Sequence, residues 1–198
     1  MKTYAATHNA GKRRELAAIF AGSPLKIAAY RRYGEVVEDA PTYLGNAILK
    51  ARALAQQLRE AGVEGAVLAD DSGLEVAALA GRPGLFSARY GGEDLTWAQR
   101  RALLLEELRG VPPGLRKARF VCALALVMPA GEMFTAIGEV EGIIAERETG
   151  SGGFGYDALF LYLPARRTFA QLTQKEKNAV SHRRHAADAL LAAIGPRV

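Results

Sequence analysis

The sequence predicts an α/β protein with a mixed β-sheet. Strand-like and helix-like segments interleave along the 198 residues in the order β-α-β-β-α-β-loop-α-β-β-loop-β-α. A long hairpin pattern interrupts this alternation, with strands at 117–128 and 132–146 that turn at Pro129-Ala130-Gly131. Because hairpin strands are antiparallel, whereas strands joined through helices are commonly parallel, we expect one sheet to contain both kinds of pairing.

Length and composition indicate a single soluble domain. Apolar residues make up 49% of the chain and charged residues 24%, which is ordinary for a globular protein, and one domain should cover residues 1–198. No apolar run approaches the roughly 18 residues of a membrane helix, and the start lacks the apolar region of a signal peptide. The single cysteine, Cys122, excludes an intrachain disulfide and is interpreted as a buried, inert thiol. We therefore expect a cytoplasmic protein without membrane partners.

The net charge of +5 favours anionic partners in general. The arginines occur as scattered pairs and never form a block of about five or six like charges, so most are expected to be solvated. A basic nucleic-acid-binding module is the alternative class that this charge suggests. Acidic clusters argue against it, because carboxylates weaken binding to a phosphate backbone. We expect a small phosphorylated molecule as partner, and no nucleic acid.

The first part of the chain is predicted to contain a strand, a helix, two short strands or extended segments and a long helix, at residues 2–7, 12–21, 25–29, 35–38 and 42–60. The long helix has the clearest pattern, because its apolar residues recur at the helical period. They are Leu44, Ile48, Ala51, Ala55 and Leu58. On that periodicity Asn46 and Lys50 lie opposite the apolar stripe, and solvent exposure is favoured over a position lining a cleft.

In the rest of the chain, a buried strand at 66–69 is expected to end at Asp70-Asp71-Ser72-Gly73. A glycine-rich loop should follow at 81–92 and a helix at 95–109, before the hairpin. A short strand near 158–161 and a last helix at 175–194 complete the prediction.

The N-terminal stretch AATHNAGKRREL nearly matches the phosphate-binding P-loop pattern. Ala6 replaces the first glycine, and Arg13 stands where a serine or threonine would contact magnesium, so a P-loop kinase is disfavoured. Lys12 nevertheless lies at the start of a predicted helix, where backbone N–H groups favour anions. The stretch therefore indicates a different way of holding phosphates.

Two acidic groups are candidates for metal binding and catalysis. Asp70 and Asp71 follow a buried strand directly, and neighbouring strand residues point to opposite sides, so only one should face a site. Asp71 is favoured as a metal ligand or general base. Asp70 could equally have a functional role or form local hydrogen bonds in a turn or helix cap. Glu35, Glu38 and Asp39 form the second group. Together the two groups could hold Mg²⁺ with substrate phosphates.

The run GSGGFG matches a dinucleotide-binding fingerprint but leads into a strand-like segment instead of a helix, which excludes a nicotinamide or flavin site. It is either a turn that needs glycine or part of a nucleobase pocket. Phe154 could stack on a base, and Asp157 could accept hydrogen bonds from ring N–H groups.

The segment LTQKEKNAVSHRRHA is rich in hydrogen-bond donors. Thr173 and Glu176 form a capping box, which is plain helix-start chemistry. Arg183 could donate a forked pair of hydrogen bonds to a keto oxygen and a ring acceptor. His182 and His185 lack the further ligands that a zinc site requires, so zinc is disfavoured.

Taken together, these motifs resemble those of the inosine triphosphate pyrophosphatase family, in the family's order from Thr7 to Arg183. Each motif alone is weakly specific, and six in order are very specific. They are Thr7-x-Asn9-x-x-Lys12, Glu38 before Asn46-Ala47-x-x-Lys50-Ala51, Ala69-Asp70-Asp71-Ser72-Gly73-Leu74, Pro83-Gly84-x-x-Ser87-Ala88-Arg89, Gly152-Gly153-Phe154-Gly155-Tyr156-Asp157, and Lys177-x-x-x-Ser181-His182-Arg183.

The resemblance implies an enzyme that hydrolyses ITP, dITP and XTP between the α- and β-phosphates, which gives a monophosphate and pyrophosphate. It also implies Mg²⁺ as cofactor, a homodimer, and an elongated two-lobed α/β fold. In that fold helices flank a long mixed sheet, and the active site lies in the cleft between the lobes. A related pyrophosphatase acting on modified pyrimidine or methylated purine nucleotides is the alternative.

The resemblance also implies roles for individual residues. Asp71 would activate water and bind metal together with Glu38, and Phe154 would stack on the base. The phosphate-binding residues would be Thr7, Asn9, Lys12 and Lys50; those that read the purine edge and ribose would be Asp157, Lys177, His182 and Arg183; and further substrate-binding positions would be His8, Ala10, Gly11, Ser72, Gly155 and Tyr156.

The chain departs from the family's usual pattern at three positions. Gly45 replaces a glutamate, Ala158 a proline and Gln171 a glutamate. None of these removes a predicted catalytic group, but Gly45 removes a possible acidic partner of the metal shell.

Overall fold

A computed structural model describes residues 1–195 of the chain. Within this range seven strands form one sheet, in the order β2-β1-β3-β4-β5-β6-β7. The strands are β1 (Lys2–Ala5), β2 (Lys26–Ala29), β3 (Ala66–Val76), β4 (Lys117–Val127), β5 (Met133–Ile144), β6 (Phe160–Tyr162) and β7 (Arg167–Thr168). The α-helices are α1 (Ala10–Ile19), α2 (Tyr43–Glu60), α3 (Trp97–Glu107), α4 (Gln174–Val180) and α5 (His182–Ile194).

The sheet is mixed, as the sequence predicted. Strand β1 pairs in parallel with both β2 and β3, whereas β6 pairs antiparallel with β5 and with β7. Strands β4 and β5 are neighbours joined by a short turn, in which Gly131 donates its N–H to the carbonyl of Met128. The α/β class and the predicted hairpin are therefore confirmed.

The chain divides into two compact units, each assembled from separate segments. The first contains Met1–Asp71, Cys122–Gly138 and the chain from His182 onward, and the second contains Ser72–Val121 and Glu139–Ser181. No helix among residues 1–195 combines the length and the apolar character needed to cross a membrane.

In the first unit, alternate residues of β3 and β4 face two different cores. Val67 and Ala69 pack with Ala123 against α2, whereas Leu68 and Leu124 belong to a core shared with α1 and α5. This separation follows from the strand period of two, which sends neighbouring side chains to opposite faces. Two helical layers therefore cover the two faces of this part of the sheet.

In the second unit, one core contains the ends of β3 and β5, helix α3 and a group of aromatic rings. Phe120, Phe160 and Phe169 contact one another, with ring centroids 4.6 to 6.0 Å apart. Aromatic rings bury large apolar areas, so this cluster contributes much of the unit's stability.

Strand β3 continues through the residues where the sequence predicted a turn. Asp70-Asp71-Ser72-Gly73 is favoured in turns, but the strand extends to Val76. Leu74 and Val76 are fully buried in the core of the second unit. The burial of these two side chains outweighs the local preference for a turn, because tertiary packing commonly overrides the conformational preference of a short sequence.

Two further segments differ in part from the prediction. Residues 35–38, predicted as a short strand or extended segment, form no strand; Val37 is 77% exposed, whereas Val36 packs partly buried against the core beneath α2. The predicted helix at 175–194 is divided into α4 and α5 by Ser181, whose backbone is extended with φ −78° and ψ 159°. Serine is favoured at helix ends because its hydroxyl can satisfy free backbone groups.

A close approach between β5 and α5 requires glycine at position 138. A Cβ atom at Gly138 would lie less than 3.0 Å from backbone atoms of His182, His185 and Ala186. Backbone atoms cannot move aside as the end of a flexible side chain can. Gly138 therefore sets the distance between the start of α5 and the sheet.

We predict that Gly138→Ala lowers the free energy of unfolding by about 2 kcal/mol, because overpacking typically costs about 1–3 kcal/mol. Urea unfolding monitored by circular dichroism measures the change. Gly114→Ala is the matched control, since a Cβ there meets nothing within 4 Å, and it should stay within about 0.5 kcal/mol of wild type. Equal effects of the two substitutions would contradict the role of Gly138.

Candidate active site

Asp71 faces helix α2, where it forms a polar cluster with Lys50, Glu38 and Asn46. Lys50 Nζ lies 2.6 Å from Glu38 Oε2 and 3.5 Å from Asp71 Oδ1. Asn46 donates through Nδ2 to Asp71 Oδ2 over 3.2 Å, and its own Oδ1 accepts the N–H of Ala40. One ammonium group therefore joins two carboxylates, and the asparagine fixes the second of them.

Burial shapes the acid–base properties of this cluster. It raises the pKa of Asp71, although the positive charges of Lys50 and Lys12 act against that shift. Burial disfavours the charged form of Lys50, but the attraction of Asp71 and Glu38 outweighs it and raises the pKa of this lysine. Lys50 therefore stays protonated at neutral pH, and Asp71 is more basic than an ordinary aspartate.

The burial of Asn46 and Lys50 contradicts the solvent-exposed position that the sequence favoured. They are only 3% and 7% exposed. The fully buried residues of α2 are Ala47, Ala51 and Leu54, whereas Leu44 and Ile48 are only partly buried. At about 100° per residue, the buried face of α2 is therefore centred closer to Asn46 and Lys50 than the predicted apolar stripe was.

Asp70 faces the opposite side of β3 and joins two cations. Its Oδ1 lies 2.8 Å from Lys12 Nζ, and its Oδ2 accepts from Arg183 Nε over 3.2 Å. Arg183 also donates through Nη1 to Glu15 over 2.9 Å, and the thiol of Cys122 lies 3.4 Å from Asp70 Oδ2. Asp70 is thus neither a turn residue nor a helix cap, because it holds together a buried charge network.

The two adjacent aspartates therefore differ in their electrostatics. Burial alone would raise the pKa of Asp70, but Lys12 and Arg183 outweigh it and hold this pKa far below the usual range. Burial and the charge of Asp70 raise the pKa of the Cys122 thiol well above its ordinary value. The predicted buried, inert thiol is confirmed, and Asp70 is a permanent anion at neutral pH.

The segment from Thr7 to Lys12 curls into the start of α1. Asn9 is the N-cap, and its Oδ1 accepts the N–H of Lys12 over 3.0 Å. Thr7 Oγ1 in turn accepts the N–H of Asn9 over 3.1 Å. Ala10 and Gly11 form the first turn of the helix. The threonine and asparagine thus build a helix start that leaves Lys12 partly exposed, with 16% of its side chain accessible.

In the glycine-rich loop, Asp157 is held by the protein itself. Its Oδ2 accepts the N–H of Phe154 over 2.8 Å and lies 2.5 Å from Lys177 Nζ. Lys177 also lies 4.9 Å from the centroid of the Phe154 ring, within the range of a cation–π contact. A Cβ at Gly153, where φ is +70°, would collide with the Asp157 carboxylate. The glycine is therefore needed for this ion pair.

Other predicted site residues occupy structural positions. Tyr156 is 2% exposed, donates its hydroxyl to the carbonyl of Ser87 over 3.1 Å and meets Trp97 edge to face. The carbonyl of Gly155 accepts from Arg101. Ser72 lies next to Asp71 in β3.

The two predicted purine readers of α5, His182 and Arg183, are only 2% and 3% exposed. Arg183 donates to Asp70 and Glu15, whereas the sequence predicted donation to a purine base. Sequence reasoning missed Glu15, although it lies three residues after Lys12, a spacing that places both side chains on one helix face.

Glu38 and Asp71 are the residues that could hold a divalent cation. No group of three or more His, Cys, Asp or Glu side chains within residues 1–195 is placed to bind a metal ion. Magnesium is commonly bound by one or two carboxylates together with substrate phosphates, so this pair of hard oxygen donors fits it. At Gly45, a Cβ would come within 2.6 Å of the Ala40 Cβ. A glutamate there would displace the turn before α2, and the chain places no third carboxylate at that position.

The fold and these clusters define an α/β protein whose polar centre pairs lysines with carboxylates, the side chains that bind phosphate groups and divalent cations. The chain belongs to the Ham1 family, whose model matches residues 3–193. This assignment confirms the family resemblance seen in the sequence motifs.

Individual relatives extend over nearly the whole chain. A protein from Geobacillus kaustophilus, named dITP/XTP pyrophosphatase, is 47% identical over 182 residues, which cover 90% of this chain and 86% of the relative. One of the same name from Exiguobacterium sibiricum is 45% identical over 98% of this chain and 97% of its own. The solved structure of a HAM1 protein from Coxiella burnetii has a TM-score of 0.84 at 35% identity, with 98% of each chain covered.

We predict that Asp70→Asn destabilises the protein by about 3 kcal/mol or more at pH 7, because removing one partner of a buried ion network leaves the others uncompensated. The lowered pKa of Asp70 adds stability above the unfolded value of about 3.9, and that stability is lost as pH falls below it. The difference in the free energy of unfolding between wild type and Asp70→Asn should therefore become smaller from pH 5 to pH 2.

Urea unfolding at a series of pH values measures this difference. Asp39→Asn, which changes an exposed carboxylate, is the control and should follow wild type at every pH. A stability difference for Asp70→Asn that stays constant from pH 7 to pH 2 would show that the Asp70 charge contributes nothing.

Proposed function

We propose that this protein hydrolyses nucleoside triphosphates with 6-keto purine bases, such as ITP, dITP and XTP, to the monophosphate and pyrophosphate. The observation that carries the proposal is the cluster in which Lys50 joins Glu38 to a buried, Asn46-anchored Asp71. The names of the Geobacillus and Exiguobacterium relatives support the choice of substrate.

The triphosphate is bound by the start of α1 and by two lysines. Lys12 keeps part of its side chain accessible while Asp70 holds its ammonium group, so it can contact a phosphate oxygen without losing its counter-charge. The N-terminal N–H groups of α1 carry partial positive charge that favours the same anion. Thr7 and Asn9 shape this segment, and Lys50 adds a second positive charge.

Glu38 and Asp71 would hold Mg²⁺ together with phosphate oxygens of the substrate. A bound Mg²⁺ would lower the pKa of water and neutralise the phosphate oxygens that would otherwise repel a nucleophile. Lys50 keeps the two carboxylates together before substrate arrives, because its ammonium group contacts both. This preorganisation reduces the rearrangement that binding requires.

Asp71 accepts the proton of the attacking water. The hydrogen bond from Asn46 Nδ2 to Oδ2 fixes the orientation of the Asp71 carboxylate for this proton transfer. Water oxygen attacks the α-phosphorus, and the bond to the bridging oxygen breaks as pyrophosphate leaves. Lys12 and Lys50 stabilise the charge that develops on the phosphate oxygens.

Phe154, Lys177 and His182 are proposed to contact the base, as the family resemblance implies. Phe154 is partly exposed and offers a ring for stacking; Lys177, whose ammonium group Asp157 holds, and His182 would donate to a 6-keto oxygen. Adenine carries an amino donor at that position, which would leave a buried donor of the protein unpaired at a cost of about 1–3 kcal/mol. The family resemblance further suggests a homodimer, and the composition suggests a cytoplasmic location.

A substrate panel tests this function. The purified protein with Mg²⁺ should release pyrophosphate from ITP, dITP and XTP, with kcat/KM at least about tenfold higher than for ATP, the factor expected from about 1.4 kcal/mol. GTP and UTP complete the panel. Orthophosphate as the product would contradict cleavage between the α- and β-phosphates, and a preference for UTP would favour a pyrimidine nucleotide pyrophosphatase.

We predict that Asp71→Asn lowers kcat/KM for ITP at least about a hundredfold, because general bases contribute about 10²–10⁴ to the rate. The variant keeps the hydrogen-bonding shape of the side chain and removes its basicity. Asp39→Asn, an exposed acid on the same segment as Glu38, is the control and should retain wild-type rates. If Asp71→Asn keeps more than a third of the activity, the general base lies elsewhere.

A further inference from the structure

The segment that carries Glu38 has no regular secondary structure. It runs from the end of β2 to the start of α2, and residues 33–40 form neither helix nor strand. Val37, next to Glu38, is 77% exposed. A metal ligand must be held within about 0.5 Å of its working position. Something other than a helix or strand must therefore fix this part of the chain.

Two groups anchor the first part of the segment, ahead of the contacts that Lys50 and Asn46 make with Glu38 and Ala40. The ring of His8 stacks on Tyr33, with centroids 4.8 Å apart and planes inclined by 21°, and His8 Nε2 lies 3.4 Å from the carbonyl oxygen of Gly34. On the other side, Gln57 of α2 accepts the N–H of Gly34 through Oε1 over 3.3 Å. These contacts tie the segment to the start of α1 and to the helix that carries Lys50.

Tyr33 packs in the core beneath α2, the helix that carries Lys50, as well as against His8. Only 9% of the residue is exposed. The tyrosine therefore links the segment that starts α1, through His8, to the core beneath α2.

We propose that His8, Tyr33 and Gln57 are positioning residues, which hold Glu38 where it can bind a divalent cation together with Asp71. The proposal rests on the proposed function for the role of Glu38 as a metal ligand. The stacked pair acts as a brace between the phosphate-binding segment and the metal-binding segment. Removing the stacked pair should therefore weaken cation binding, although both proposed ligands, Glu38 and Asp71, are still present.

The test compares Tyr33→Leu with Tyr33→Phe and with Tyr30→Leu. Tyr33→Phe keeps the stacked ring and removes only the hydroxyl. Tyr30→Leu is the matched control, because Tyr30 lies near the start of the same segment and makes an aromatic contact with Tyr4 at 5.6 Å, away from His8. Mn²⁺ binding is measured by electron paramagnetic resonance in the presence of α,β-methylene-ITP, which cannot be hydrolysed, and the Mg²⁺ concentration for half-maximal ITP hydrolysis is measured in parallel.

Tyr33→Leu should weaken Mn²⁺ binding about tenfold and raise the half-maximal Mg²⁺ concentration similarly, the size of effect typical of residues that support metal ligands. Tyr33→Phe and Tyr30→Leu should remain within about twofold of wild type. Saturating Mg²⁺ should restore most of the rate of Tyr33→Leu, which a general loss of structure would not allow. Unchanged Mn²⁺ affinity in Tyr33→Leu, or equal losses in Tyr30→Leu, would overturn the proposal.

His8→Ala provides a second measurement if Tyr33→Leu does not fold, because His8 is exposed and its loss leaves the core intact. In the nucleotide-free protein the amide hydrogen of Gly34 should then exchange several times faster, since the brace no longer limits local opening. Wild-type exchange at Gly34 would overturn the proposal. Failure of the wild-type protein itself to hydrolyse ITP or to bind Mn²⁺ would instead reject the proposed function.

Discussion

The alternation of side chains along β3 is the constraint on which the rest of this site depends. Asp70 and Asp71 are neighbours in one strand, and the strand period sends them to opposite faces of the sheet. Each meets its own lysine: Lys12 of α1 on one face and Lys50 of α2 on the other. A single strand thereby connects the segment proposed to bind phosphates to the cluster proposed to bind metal and activate water.

The two clusters differ in net charge, because the network of Asp70, Lys12, Arg183 and Glu15 contains two cations and two anions. Asp70 lies between two cations, and its own charge is therefore fixed. Lys50 lies between two carboxylates, which leaves a net negative charge that a divalent cation can neutralise. Buried ion pairs add little stability compared with well-packed apolar residues. Their presence at the centre of the first unit is more readily explained by function than by folding.

Much of the fold could be predicted because it follows from local patterns. The α/β class, the mixed sheet and the helix at 43–60 came from hydrophobic periodicity and from the order of the elements. Periodicity failed where a few polar residues lie at the edge of a buried face, as Asn46 and Lys50 do. It also failed at Ser72, where burial of Leu74 in the core of the second unit extends a strand through a turn-like sequence.

The candidate site was predictable to the extent that its motifs carry local chemistry. Asn9 caps a helix and Gly153 makes room for Asp157, and both roles follow from residue type and position. The partners of Arg183 could not be predicted, because Glu15 and Asp70 lie 168 and 113 positions away in the chain. Long-range ion pairs leave no periodic signal in a single sequence. The brace formed by His8 and Tyr33 was missed for the same reason.

The central claim, that water activated at Asp71 attacks the α-phosphorus, is tested most directly by hydrolysis of ITP in ¹⁸O-labelled water. Mass spectrometry of the products shows which phosphorus acquires the label. The account predicts one ¹⁸O atom in inosine monophosphate and none in pyrophosphate. Label in pyrophosphate would mean attack at the β-phosphorus and would contradict the arrangement proposed for Asp71, Glu38 and Lys50.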